Sequence, residues 1–402
     1  MTERPRREGG LGAMLALPIL PAYVTSAARV LRRRVLGPRR YSGDAPAICR
    51  AIVDACWTGD YLAASAGHFR QFWMRDLAFS APSLTRLGQA CRVEASLAWA
   101  LEAWARRGRV TTTIFGARRP ADVYTLGCDS LPLLFATLEA GGFERLVDRH
   151  AGWLGPEVER YAAAVIDART GLVRFDRLFS GHRDTVRTPS SCYANTMLVV
   201  LDGVLRRTGW FASPIGASGG DRLVAAFWRV DHFSERQDRD VLTGDANVFP
   251  FWTGAVPDAL GLDLMLAALQ RAGLTRPLPL RYAMRREAGA EDPVQRLFVP
   301  DYQGTGVWTS LGAIYLVLLA RVDPAAARAG LAAYARLIER EGTLREVYTG
   351  ELRPYRGRLG LFLADEGMLW ASILLAEMTE HGRPADPSVV PTPGTGSRAS
   401  PL

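Results

Sequence analysis

From about Asp44 to Glu380, apolar residues recur at helical spacing in one segment after another, and this feature restricts the fold more than any other. Leu97, Leu101 and Trp104 share a face; so do Met197, Val200, Leu201, Val204 and Leu205; so do Leu311, Tyr315, Leu318, Leu319 and Val322. The last segment carries Leu369, Ile373 and Ala376. Runs that alternate apolar and polar residues, the mark of a half-buried strand, are few. About a dozen helical segments separated by Gly- and Pro-containing loops suit six helical hairpins closed into a ring. The expectation is an all-α chain whose residues 41–383 form an (α/α)6 barrel.

The flanks read differently. Gly9 to Ala28 carries no charge and is long enough to be a membrane candidate, although Pro18 and Pro21 interrupt it. Arg29, Arg32, Arg33, Arg34, Arg39 and Arg40 follow it and outnumber Arg4, Arg6 and Arg7 before it, a balance that would keep the body on the cytoplasmic side. Residues 1–40 are therefore expected to form a basic, apolar arm, with two readings open: packing on the body, or lying on a membrane surface through residues 9–40. Residues 384–402, rich in Pro, Ser, Gly and Thr, are expected to be a disordered tail. Nothing in the sequence addresses the oligomeric state.

Composition removes whole chemistries. Among 402 residues with a formal net charge of +8, the 49 basic residues are all arginine. Without a lysine there is no Schiff-base enzyme, no pyridoxal-phosphate site and no phosphate-loop ATPase. The arginines are spread along the chain with no nucleic-acid-binding motif, so no nucleic-acid partner is expected. Cys49, Cys56, Cys91, Cys128 and Cys192 lack the paired spacing of a zinc site and read as buried free thiols in a reducing compartment. Neither metal nor cofactor is expected.

Long loops between helices that gather aromatic, acidic and arginine residues are where binding is expected. Phe72-Trp73-Met74-Arg75-Asp76 sets an aromatic pair before a fork-shaped donor and an acceptor that can share the hydroxyls of one sugar; the competing reading makes Asp76 a helix cap. Asp129 or Ser130, ahead of an apolar run with Pro132 near its first turn, reads first as a helix cap. Ser180-Gly181-His182-Arg183-Asp184 precedes the helix of Tyr193 and Asn195, and a carboxyl beside an arginine in a glycine-containing loop can be aimed into a pocket or left in solvent. Asp245 and Asn247 adjoin Phe249, Phe251 and Trp252, a platform that also reads as a buried aromatic wedge. Arg345-Glu346-Val347-Tyr348 leads on to Asp365 and Glu366, where Asp365 reads as the cap of the final helix.

Together these segments resemble the six-hairpin glycosidases of the glucoamylase and processing alpha-glucosidase type, a group that also takes in trehalases and glycosylglycerate hydrolases. Trp73-x-Arg75-Asp76 is similar to the signature that opens the second hairpin there, Ser180 to Asp184 with Tyr193-x-Asn195 to the segment of the catalytic acid, and Glu346-x-Tyr348-x-Gly350 to the motif of the catalytic base. The resemblance implies an inverting, exo-acting glycoside hydrolase that removes a terminal, alpha-linked glucosyl or related residue from an oligosaccharide or small glycoside. It makes Asp184 the acid and Glu346 the base across a ring wide enough for a water. Arg75 and Asp76 would clamp the terminal sugar, with Asp129, Asn195 and Asp245 as further polar contacts. Trp73, Trp252, Trp308 and Tyr348 would stack on sugar faces, against a core reading that holds for any aromatic at helical spacing. Two rivals stay open: a non-catalytic carbohydrate-binding or scaffold protein of the same fold, and a sugar epimerase, which needs a histidine pair that His68, His150, His182, His232 and His381 do not offer by spacing.

Overall fold

The structure, a computed structural model, describes residues 28–381 except 34, 124, 185, 217–218, 287–290, 359 and 361. The expected membrane candidate at 9–28 and the expected tail at 384–402 fall almost wholly outside the described residues. Within them no helix is long and apolar enough to cross a membrane.

Helices account for 52% of the chain. In chain order they are α1 (Ala45–Cys56), α2 (Met74–Arg86), α3 (Ala90–Ala105), α4 (Ser130–Gly141), α5 (Glu144–Val165), α6 (Cys192–Thr208), α7 (Gly219–Phe227), α8 (Gly244–Trp252), α9 (Leu262–Arg271), the short α10 (Pro293–Phe298), α11 (Thr309–Val322), α12 (Pro324–Glu341) and α13 (Ala371–His381). Two kinds alternate. In α4 every side chain from Ser130 to Leu138 is buried, and α11 is buried almost throughout from Thr309 to Leu319. In α5 burial falls on Leu146, Val147, His150, Leu154, Val158, Tyr161 and Val165, a single stripe at helical period. A helix apolar all round must sit inside, whereas a striped one lies outside with one face covered.

The packing follows from this. α2, α4, α6, α8, α11 and α13 each touch the next, and α13 touches α2, which closes an inner ring. α3, α5, α7, α9 and α12 each pack outside the inner helix that precedes them, while α1 packs outside α13. The sixth hairpin thus joins the first helix of the body to the last, completing the expected (α/α)6 barrel. Local chemistry sets the ends: Asp44 accepts from the Ala47 amide with a proline in the first turn of α1, and Asp323 does the same for Ala326 in α12. Gly142 and Gly342 take left-handed backbone at the ends of α4 and α12, where a side chain would be strained.

Two short antiparallel sheets break the helical pattern. β1 (Phe72–Trp73) pairs with β2 (Thr113–Phe115), which pairs with β3 (Arg119–Ala121), and β4 (Val307–Trp308) pairs with β5 (Val347–Tyr348). In register Trp73 faces Thr113, and Trp308 faces Val347. β1 and β4 each run directly into an inner helix, so the strands fix how α2 and α11 begin. Two sequence expectations need correcting. Val322, placed on the apolar face of α11, is 47% exposed because it is the helix's last residue, and Cys91, expected buried, is exposed in the first turn of α3.

Candidate active site

The sequence-selected residues gather where the inner helices begin. Trp73 is the residue before α2, which places Arg75 and Asp76 in the first turn; Asp129 precedes α4, and Trp308 precedes α11. Asp76 is not the helix cap that the sequence allows, because Trp73 holds that position.

Asp129 occupies the cap position of α4 but makes no capping bond. Fully buried, it accepts instead from Arg75 Nε at 2.6 Å and from the Tyr193 hydroxyl at 2.8 Å. Arg75 is thereby held with its Nη1 3.2 Å from Asp184 Oδ2, and the Ser180 hydroxyl donates to the other Asp184 oxygen. Burial would weaken the charge on Arg75, but Asp129 and Asp184 hold its pKa well above the ordinary value.

The Asp184 loop is fastened on two sides. Ser180 bridges to Gly127 through Cys128 N–H to Ser180 O at 2.9 Å and Ser180 N–H to Leu126 O at 3.0 Å. Behind it Arg183 donates to the Gln303 carbonyl at 3.1 Å, stacks over Tyr282 and faces Glu235 at 3.6 Å. His182 lies among Tyr193, Phe249 and Tyr282, with its Nδ1 2.5 Å from the Tyr282 hydroxyl. Burial, then Arg75 and Arg183, hold its pKa well below the imidazole range, so it carries no charge.

Glu346 comes from the segment between α12 and β5. Its carbonyl accepts from Thr309 N–H at 3.2 Å and its amide donates to Asp365 O at 3.0 Å, so the backbone is pinned on both sides. Its carboxyl, in a residue only 6% exposed, takes a hydrogen bond from Tyr302. Burial pushes its pKa up to about 8, and the neighbouring Asp365 and Asp76 add to the rise against Tyr302. Burial likewise raises Asp76, to about 7, with Asp184 and Asp129 contributing and Arg75 opposing. Asp184 is raised by burial, with Arg75 and Ser180 pulling the other way. The charges of Asp184 and Asp76 add in a minor way to the burial that raises Asp76 and Glu346, respectively.

Asp365 does not cap the final helix, which starts only at Ala371. It is fully buried and accepts from the amides of His68 (2.9 Å), Phe69 (2.8 Å) and Glu366 (2.8 Å) and from the Ser65 hydroxyl. Burial opposes its ionisation, yet His68, Arg33 and Ser65 bring its pKa down to about 2. A Cβ at Gly67 would overlap this carboxylate, so only glycine fits there.

Not every selected residue opens on this centre. Tyr348 is fully buried on β5, and a ring with no accessible face has none to offer a sugar. Asn195 is spent on the backbone, accepting from Val173 N–H at 2.8 Å and donating to Ser191 O at 2.9 Å. Asp245 lies 2% exposed behind the site, where burial and its neighbour Glu235 raise its pKa to about 7. Trp252 packs against Phe79 and Phe249, and Trp308 packs between Tyr282 and Tyr302 with its indole donating to the Tyr302 carbonyl at 3.1 Å. Trp73 is half-buried, and its indole N–H finds no acceptor among the described residues. Sequence reasoning did not reach Tyr302, Ser65 or Arg33. The first two carry no motif, and Arg33 looks like any solvated arginine of its cluster.

No family model matches the chain, and no curated protein matches it in sequence. Solved structures do. A glycosidase solved as a glutamate-to-alanine variant superposes with a TM-score of 0.57 at 17% identity, covering 89% of this chain and 98% of that one. The fold is that of the six-hairpin glycosidases. Another glutamate-to-alanine glycosidase variant, solved in complex with glucose, gives the same TM-score of 0.57 at 17% identity over 89% of this chain and 98% of that one. The GH63 mannosylglycerate hydrolase from Thermus thermophilus, in complex with Tris, gives 0.55 at 17% identity over 83% of this chain and 100% of that one. On that fold the assembly of Arg75, Asp76, Asp129, Asp184 and Glu346 occupies the end of the ring at which the inner helices begin.

Proposed function

We propose that this chain is an inverting, exo-acting glycoside hydrolase that removes a terminal, alpha-linked glucosyl or related residue from an oligosaccharide or small glycoside. The observation that supports the reading is the hydrogen-bonded series Asp129, Arg75, Asp184, with Asp76 next to Arg75 in the first turn of α2 and Glu346 held against the start of α11 by the Thr309 amide. Five acidic and basic groups held together at one end of a helical ring exceed what a scaffold requires, since buried charges cost stability unless they are used or fully paired.

In the proposed reaction Glu346 takes a proton from a water whose oxygen bonds to the anomeric carbon. The glycosidic C–O bond breaks with its electrons on the leaving oxygen, which takes the proton of Asp184. Both carboxyls then return to their starting forms by exchange with solvent. Burial favours the protonated form of each, which suits Asp184 as acid and obliges Glu346 to release its proton first. Arg75 and Asp76 bind hydroxyls of the terminal sugar, and the half-buried Trp73 is the aromatic best placed to border it. An epimerase is disfavoured because His182 is buried, uncharged and bonded to Tyr282 while His68 faces Asp365.

Incubation with alpha-linked glucosides and mannosides, trehalose, sucrose and glycosylglycerates, with the fresh anomer read by NMR, tests the proposal. Inverted product is expected, with carboxyls of Asp184 and Glu346 roughly 6.5 to 9.5 Å apart in a liganded structure. Retained configuration, or no turnover across the panel, refutes it. The arm adds a second proposal, contact with an anionic membrane surface from the cytoplasmic side. Leu31, Val35 and Leu36 are 62%, 78% and 70% exposed beside exposed Arg32, Arg39 and Arg40. Flotation with anionic vesicles and none with neutral ones is the expected result.

A further inference from the structure

The arm does more than lie beside the ring. Residues 28–33 are helical, and from them Arg33 turns inward against the segment that carries the proposed base. Its Nε donates to Glu366 Oε1 at 2.7 Å, its Nη1 donates to Asp365 Oδ1 at 2.8 Å, and the same Nη1 stands 2.5 Å from His68 Nδ1. Around it, Arg39 N–H donates to Glu366 at 3.2 Å, and Arg29 reaches the His68 carbonyl at 3.5 Å. Arg33 keeps only 12% side-chain exposure, while Leu31 and Val35 point outward. An arginine surrendering its hydration this fully is explained by what it meets, two almost wholly buried carboxyls one residue contact from Glu346.

We propose that Arg33 is a positioning residue of the active site, the counter-charge against which Glu346 releases its proton beside Asp365 and Glu366. The inference rests on the hydrolase reading for its consequence but not for its geometry. The charged and titratable groups around Glu346 are Asp365 and Glu366 on the adjoining segment, Asp76 on α2, Tyr302 before β4, Arg345 beside it, His68 before β1, and Arg33 on the arm. Three of these are carboxyls. Arg345 is shared between Glu341 at 3.6 Å and Glu366 at 3.5 Å, so it is a distant partner to both. Arg33 is the arginine in direct contact with the Asp365 carboxylate, and Asp365 meets Glu346 through its main chain, its carbonyl accepting from Glu346 N–H at 3.0 Å and its amide donating to Glu346 Oε2 at 3.5 Å. Without it an extra negative charge on Glu346 would stand against Asp365 with less compensation, and the proton would be held more tightly.

The experiment uses the full chain and the variants Arg33→Gln and Arg33→Lys. The acid limb of kcat/KM against pH is measured with whichever glycoside the wild type hydrolyses. In parallel, the carboxyl carbon of Glu346 is followed by 13C NMR in glutamate-labelled protein, its signal identified by its loss in Glu346→Gln. Arg33→Gln is expected to move both midpoints upward by about one pH unit, slowing turnover about tenfold below the limb and little above it. Arg33→Lys should recover most of the shift, and it answers the question should Arg33→Gln fail to fold, since losing the fork while keeping the charge must leave the midpoint near wild type. Unmoved midpoints with a uniform loss of rate would make Arg33 merely structural, and a gain in activity would make it a plug; either overturns the proposal. A wild type inactive on the whole panel, with a shifted NMR midpoint in Arg33→Gln, sinks the hydrolase reading and leaves this one standing.

Discussion

Replacing Glu346 by glutamine should make the protein more stable, and more so as the pH rises. An ordinary glutamate carboxyl ionises near 4.5, and burial beside Asp365 and Asp76 lifts Glu346 to about 8. Between those values the folded protein keeps a proton that the unfolded chain has already released. Each pH unit climbed in that window therefore removes about 1.4 kcal/mol of stability. The contribution is intact below about pH 4.5 and lost as the pH rises through 8. At pH 7 the cost reaches about 3 kcal/mol, less whatever Asp76 and Asp365 recover by adjusting their own protonation. Glutamine has the same shape, still accepts from Tyr302, and has nothing to titrate, so this cost disappears. In a domain of this size roughly 2 °C of Tm accompanies each kcal/mol. Thermal melts of wild type and Glu346→Gln from about pH 4 to 8 should start together and diverge by several degrees at neutral pH, the variant higher, while turnover falls by roughly two to four orders of magnitude. Parallel melting curves, or a variant less stable throughout, would show that Glu346 does not carry its proton in the folded state.

Asp184→Asn should slow hydrolysis of unactivated glycosides by roughly two to four orders of magnitude and cost substrates with acidic leaving groups far less, because such a leaving oxygen needs little proton donation. Kinetics on a matched pair of substrates checks this, and equal losses would remove Asp184 from the acid role. Arg75→Lys keeps the charge but not the planar fork that spans Asp129 and Asp184, so KM should rise and kcat fall together, by about tenfold or more in kcat/KM. An unchanged kcat/KM would mean that the fork is dispensable.

The ring was legible because its signal is repeated. Helices such as α4 and α11 are buried on every side, and a long apolar run at helical period has few other destinations. Arg75, Asp184 and Glu346 stood out as candidates because each lies in a loop that gathers aromatic, acidic and arginine residues, and the family resemblance, not the loops themselves, suggested their roles. Asp129 was legible as a position and not as a role: the sequence places it ahead of α4, but only the fold sets it opposite Arg75, 54 residues away. Tyr348 failed in the other direction, since a strand of two residues shows no alternation to mark which face is buried. Asp365 looked like a helix cap because a neighbouring acid pair before an apolar run is what caps look like, and its partners Ser65 and His68 lie some 300 residues earlier. Arg33 was lost among its neighbours for the same reason, since its contacts are made across almost the whole chain.

The pairing of α1 with α13 sets how the molecule must be made. Five hairpins close over short connections, but the sixth joins segments roughly 300 residues apart. By polymer arithmetic, closing that loop costs about 3 to 4 kcal/mol more entropy than closing a five-residue turn. The five sequential hairpins can therefore assemble as an open arc whose two exposed edges wait for α13. Pulsed hydrogen exchange during refolding should find the α1 and α13 amides protected last, and protection of that pair ahead of α4 and α6 would rule the order out. An open arc presents the apolar flanks of α2 and α11 to solvent until then, so the unclosed ring is the state most open to association with another copy of itself.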